Sequence, residues 1–161
     1  MTTVYVQFTD ATETTVRAVF ADPQDATTYP NQAAIDSTDV RYQAFVNPAS
    51  TPAGKAAAAM AEGLTIACTS TPAINGVYAV DQDAQMRINA IETAILKNGA
   101  FPGSNGSQMA YPKIDGALVV FPSTALFSEF ATAVANYVAD LDLYAVGASG
   151  ASLPSPSVTI A

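Results

Sequence analysis

The chain has 161 residues, half of them hydrophobic and only 12% charged, a charge content low enough to suggest surfaces that are buried against partners. Its net charge of −8 comes from fourteen acidic residues against six scattered basic ones, and it has neither a basic surface for nucleic acid nor an apolar run long enough to span a membrane. We therefore expect neither nucleic acid nor a membrane as a partner. The absence of histidine excludes a Ser-His-Asp hydrolase.

Residues 1–47 are predicted to form a hairpin and short-helix module. Thr3–Phe8 alternates apolar and polar residues and Thr14–Phe20 is rich in β-branched residues, so the two are predicted to pair as an N-terminal β-hairpin. A lone two-stranded hairpin is barely stable in water, so one of its faces should be packed. Asn31–Ile35 is predicted to form one helical turn, and Asp39–Phe45 another, with Asp39 as its cap.

Residues 48–144 are predicted to form a central α+β domain, which begins with an alanine-rich helix over Ala53–Glu62 that ends at Gly63. Leu64–Thr69 and Ile74–Val80 are predicted to be a pair of strands. The single cysteine, Cys68, lies in the first of them. Because no histidine is present to activate it, we expect a buried structural thiol and not a reactive one.

The central part of this domain is predicted to be helix, hairpin, helix. Asp81 caps a first helix that ends at Asn98-Gly99, and Asp115-Gly116 is typical of a tight turn between the strands Met109–Lys113 and Ala117–Phe121. Ser123 or Thr124 caps a long second helix that runs to Tyr144. Both helices carry an apolar face. Those faces are formed by Ala84, Ile88, Ile91 and Ile95 on the first helix, and by Phe127, Phe130, Val134, Tyr137, Val138 and Leu141 on the second.

After Tyr144 the composition changes to glycine, alanine, serine and proline. Residues 145–161 are therefore predicted to form a flexible, extended arm that ends in a short β-prone strand, Ser157–Ile160. The predicted fold class is α+β, with an N-terminal hairpin module, a small helix–hairpin–helix domain with an extra strand pair, and this arm.

The candidate sites for chemistry are weak. The oxygen-bearing residues at 81, 83, 85, 89 and 92 match the spacing of a calcium-binding loop, but the position that needs glycine is Met86 and the segment has a helical pattern. Asp140 and Asp142 diverge on a helix, so they are not an acid–base pair. We find no phosphate-binding loop and no paired cysteine motif. The sequence therefore predicts no catalytic residue, no cofactor and no metal site.

Four different stretches carry distinctive combinations of turn and core residues. They are Gly63–Asp81, with GLTI followed by TSTPAINGVYAVD; Phe101-Pro102-Gly103 with the Tyr111 hairpin and Phe121-Pro122-Ser123; Ala133–Leu141; and Tyr29–Phe45. In these stretches, which span residues 29–144, the chain resembles tailed-bacteriophage and prophage tail proteins, and it is similar to a domain of unknown function found at the C-termini of tail-fibre and tail-associated proteins. Members of that family often carry a histidine in or near the second hairpin strand. Leu118-Val119-Val120 has none, and no catalytic residue is carried over.

The resemblance implies a structural component of a bacteriophage tail, a tail-fibre or baseplate-associated virion protein that acts through protein–protein contacts and is not an enzyme. A tail-fibre assembly chaperone that is not retained in the virion is the alternative, and an enzyme or sugar-binding module on the tail is a third class. The implied partners are other phage tail proteins, with a homo-oligomer left open. The implied location is the virion tail, with the host cytoplasm during assembly.

We expect strand edges at the two ends of the chain to dock onto such partners, because exposed strands add readily to a neighbouring sheet. The hairpin Val4–Phe20 and the terminal strand Val158–Ile160 are the predicted docking elements. Their docking residues are predicted to be Val4, Tyr5, Val6, Phe8, Val16, Val19, Val158 and Ile160.

Overall fold

The computed structural model describes residues 2–103 and 106–161. The chain divides into two compact units, unit 1 (Met1–Gly54) and unit 2 (Lys55–Ala161). Strands and helices occur in both units, so the fold is mixed α+β as predicted. The division lies a few residues beyond the boundary at 47/48 expected from the sequence, and unit 2 includes the C-terminal segment.

Unit 1 is built on a three-stranded antiparallel sheet of order β2-β1-β3, formed by β1 (Thr3–Phe8), β2 (Val16–Phe20) and β3 (Gln32–Asp36). The predicted hairpin β1–β2 is confirmed, but the helical turn predicted for Asn31–Ile35 is wrong. That segment is β3, which pairs Ile35 with Val4 and Ala33 with Val6. Its local sequence suits a helix, and pairing with the free edge of β1 overrides that preference.

A short helix, α1 (Val40–Val46), completes unit 1. Its predicted cap is confirmed, since the Asp39 side chain accepts the backbone N–H of Arg41 at 2.9 Å. Among the described residues of this unit, the buried hydrophobic core is formed by Val6, Phe8 and Val16. The partly buried residues Val4, Val19, Ala33, Ile35 and Tyr42 pack around them.

Unit 2 contains a second three-stranded sheet, of order β5-β4-β8. Helix α2 (Pro52–Glu62) precedes β4 (Leu64–Cys68), which pairs antiparallel with β5 (Gly76–Tyr78) after a 3₁₀ turn at Pro72–Ile74. The other edge of β4 pairs in parallel with β8 (Ser157–Ile160), which is the end of the predicted arm. The terminal strand is therefore part of the fold, and Ile160 is only 8% exposed.

The helix–hairpin–helix prediction is confirmed in α3 (Gln82–Asn98), the antiparallel strands β6 (Met109–Pro112) and β7 (Leu118–Phe121), and α4 (Thr124–Ala145). Asp81 and Ser123 cap the two helices through their side chains. The isoleucines of α3 and the large apolar residues of α4 from Leu126 to Leu141 are buried in one core. Its centre is a cluster of aromatic rings whose centroids lie 4.8–6.4 Å apart, formed by Tyr78, Tyr111, Phe121, Phe127 and Phe130. None of the helices in the described ranges is long and apolar enough to cross a membrane.

Candidate interaction surfaces

The side chains predicted to dock from the N-terminal hairpin lie mainly inside unit 1. Val6, Phe8 and Val16 are buried in its core, and Val4 and Val19 pack against that core. Tyr5 points to the opposite face of the sheet, because successive side chains of a strand alternate, and it is half-buried there. The five valine and phenylalanine side chains therefore stabilise unit 1 itself, because their apolar surface is turned toward its core.

The backbone of β1 is also occupied. It lies between β2 and β3 and pairs with both, as Tyr5 opposite Phe20 on one side and opposite Ala34 on the other. Strand addition to β1, which the hairpin prediction implied, is therefore excluded by β3. The outer edges of this sheet belong to β2 and β3.

The C-terminal strand β8 differs, because it is an edge strand with one free side. The N–H of Thr65 donates to Pro156 O at 2.8 Å, and that of Thr69 to Ile160 O at 3.1 Å. Backbone groups alternate sides along a strand, so Val158 and Ile160 turn theirs toward β4. The N–H and C=O groups of Thr159 point away from β4 and form the free edge. The side chains of Val158 and Ile160, predicted to dock, instead pack on the core of unit 2.

A groove of about 490 Å³ runs beside this free edge. We call it the β8/α4 groove, since β8 forms one wall and the exposed flank of α4 forms the other. Its lining residues are Ala125, Ser128, Glu129, Thr132, Ala133 and Asn136 of α4, together with Val158–Ala161. The outward N–H of Ala161 donates to Glu129 Oε2 at 3.0 Å, so the outer edge of the strand and the flank of the helix face the same space.

The β6–β7 hairpin presents a second candidate surface, and this one is apolar. Val119 and Phe121 turn into the core, whereas Leu118 and Val120 are 71% and 48% exposed on the other face. Pro112 is paired with Leu118, and Ala110 with Val120. These four residues, Ala110, Pro112, Leu118 and Val120, form the hairpin face. The sequence analysis missed it, although Leu118–Phe121 is apolar at every position and so has no polar side to turn toward water.

Arg41 links Asp39 at the start of α1 to Glu13 in the β1–β2 loop. Its guanidinium donates to both carboxylate oxygens of Asp39, at 3.0 and 2.7 Å, and to the backbone oxygen of Glu13 at 3.0 Å. It also lies 4.9 Å from the centre of the Phe8 ring. The hydrogen bonds from Arg41 lower the pKa of Asp39 to about 2, because they stabilise the ionised carboxylate. This arrangement joins α1 to the β1–β2 side of the sheet and covers its core.

Cys68 and Tyr78, whose side chains could be reactive, are buried and hydrogen-bonded within unit 2. Cys68 is buried as predicted, and its sulfur accepts the N–H of Thr71 at 3.2 Å. Burial raises the pKa of Tyr78 to about 12, and its hydroxyl donates to Ile74 O. In residues 2–103 and 106–161, no three His, Cys, Asp or Glu side chains are grouped in a way that could hold a metal ion. The acidic residues of the calcium-like spacing lie on or at the start of α3, as their helical pattern predicted.

No protein-family model matches the chain, and neither a curated protein nor a solved structure matches it.

Proposed function

We propose that this protein is a structural component of a bacteriophage tail, associated with a tail fibre or the baseplate, and that it acts through protein–protein contacts. The phage-tail part of the proposal comes from the resemblance of residues 29–144 to tail proteins. Its partners would then be other tail proteins, and its location the virion tail after assembly in the host cytoplasm.

The observation that carries the contact role is the hairpin face. Leu118 and Val120 are large apolar side chains on the outer side of a two-stranded sheet, where they add nothing to the core. Covering apolar surface gains about 25 cal/mol per Å². Apolar side chains that are contiguous on a rigid strand pair are typical of a protein–protein contact, whereas scattered ones are ordinary. The hairpin face therefore supports a role in which a partner covers unit 2.

Mass spectrometry of purified particles tests the proposal. A structural component should be present at a constant copy number per particle. Detection in the infected-cell lysate but not in particles would instead favour the tail-fibre assembly chaperone. Turnover of a polymer by the purified chain would contradict both and favour an enzyme.

A matched pair of variants tests the contact role. Leu118→Glu places a charge on the hairpin face and should reduce incorporation into particles, while it leaves the stability of the chain within about 0.5 kcal/mol because the side chain is exposed. Leu96→Glu is the control. Leu96 is 84% exposed on α3, so it undergoes the same change outside the hairpin face. Equal incorporation of both variants would contradict the role given to this face.

A further inference from the structure

We propose that the β8/α4 groove binds an extended segment of a partner protein, which pairs with the free edge of β8 as a fourth strand and places a lysine or arginine beside Glu129. This inference deepens the proposed function, on which it rests, by naming the site and the chemistry of the segment that it holds.

The backbone of β8 provides the first part of the site. The N–H and C=O of Thr159 point away from β4, so they can donate to and accept from an added strand. On this outer side the N–H of Ala161 donates to Glu129 and the C=O of Ser157 accepts the Ser155 hydroxyl at 3.4 Å. Thr159 therefore offers the open donor–acceptor pair, and such a pair on an edge strand is a template for strand pairing. The strand is held firmly, because Ile160 is buried and its C=O accepts the N–H of Thr69. A partner would thus meet an edge that is already in place.

The flank of α4 provides the second part. The groove follows the helix from Ala125 to Asn136, roughly 16 Å at a rise of 1.5 Å per residue, and about five strand residues cover that length. The α4 side chains along it are small or of moderate size, apart from Glu129. They leave room for the inward side chains of an added strand. Ser128, Thr132 and Asn136 supply polar groups along the same wall.

The negative charge of Glu129 favours a partner segment that carries a basic residue. Of the described residues that line the groove, Glu129 is the only one with a charged side chain, and it is also the only charged residue between positions 116 and 139. One of its oxygens accepts the Ala161 N–H, which holds the carboxylate at the end of the free edge. A basic residue on the partner strand complements it. A second copy of this chain is the less favourable occupant, because each copy carries a net charge of −8.

A peptide-display experiment on the purified full chain tests this proposal. The probe is a library of random ten-residue peptides on a monomeric carrier. We expect enrichment of peptides that have β-branched residues at every second position and a lysine or arginine toward one end. Failure to enrich such peptides would overturn the proposal.

Variants then locate the bound peptide. Thr159→Pro removes an N–H on the outer edge and leaves the ladder to β4 intact, and it should abolish binding. Glu129→Lys should weaken the Kd at least tenfold, because it turns attraction into repulsion. Asp140→Lys is the matched control, since it makes the same charge change at an exposed site of α4 outside the groove, and it should bind normally.

The outcomes of these experiments distinguish the groove from other sites and a partner protein from a second copy. If Thr159→Pro does not fold, as judged by circular dichroism, the comparison of Glu129→Lys with Asp140→Lys stands alone. Enriched peptides that bind all variants equally would overturn the groove as the site. A dimer of the unaltered chain that Thr159→Pro dissociates would make a second copy the occupant and overturn the choice of partner. Loss of the groove proposal would leave the tail assignment intact if the chain is present in particles at constant copy number.

Discussion

Replacing Ile160 by alanine should lower the free energy of unfolding of unit 2 by about 2–3 kcal/mol. Ile160 is 8% exposed and belongs to the core of this unit. The substitution removes three carbon atoms, worth about 0.8 kcal/mol each when buried, or about 2.4 kcal/mol in total. The additional cost of a cavity should be small, because Ile160 borders the open β8/α4 groove and water can enter the space left behind.

Urea unfolding measures this effect when it is monitored by amide hydrogen exchange, with the amides of α4 as reporters of unit 2. Thr159→Ala is the control, because Thr159 is exposed on the same strand, and it should change the stability by less than about 0.5 kcal/mol. An effect of Ile160→Ala no larger than that of Thr159→Ala would refute the packing of β8 in the core. The terminal segment would then behave as the free arm expected from the sequence.

Three further predictions test other parts of the fold. The stability of unit 1 should fall as the pH drops from about 4 toward 2, because the folded pKa of Asp39, about 2, lies below its unfolded value of 3.8; Arg41→Ala should weaken this dependence in acid unfolding curves. Phe130→Ala should cost unit 2 about 3–5 kcal/mol in urea unfolding, because it opens a cavity in the aromatic cluster. Gly63→Ala should lower the free energy of unfolding of unit 2 by more than about 1 kcal/mol in urea unfolding, because φ is +84° and the added Cβ would clash with the backbone oxygen of Tyr78. An unchanged pH dependence for Arg41→Ala would contradict the role given to its contact with Asp39. An unchanged urea midpoint for Phe130→Ala or Gly63→Ala would contradict the packing described at that residue.

The candidate surfaces were harder to predict than the helices. The docking prediction selected β-branched residues at the chain ends, such as Val6 and Val16, and a small unit needs those same residues for its core. Composition cannot separate the two uses, since an apolar residue has the same identity in a core and in an interface. Leu118 and Val120 were open to prediction, because a two-stranded hairpin can bury only one of its faces.

Elements with local signals could be predicted from the amino-acid sequence alone. The helix α3 follows from apolar residues three and four apart between the Asp81 cap and Gly99, and the β6–β7 hairpin follows from Asp115-Gly116 between two short strands. These features depend on neighbours within a few residues, so they can be recognised without knowledge of the rest of the chain.

The pairing of the strands, and therefore which strand edges remain free, became known from the three-dimensional fold. Gln32–Asp36 became a strand because β1 had an unpaired edge, and β8 joined β4 although Thr69 and Ile160 are 91 residues apart. A strand satisfies its backbone groups with a partner that can lie anywhere in the chain, so its neighbour is not written in its own sequence. The β8/α4 groove depends on this long-range pairing, because its two walls come together only when β8 closes the sheet beside α4.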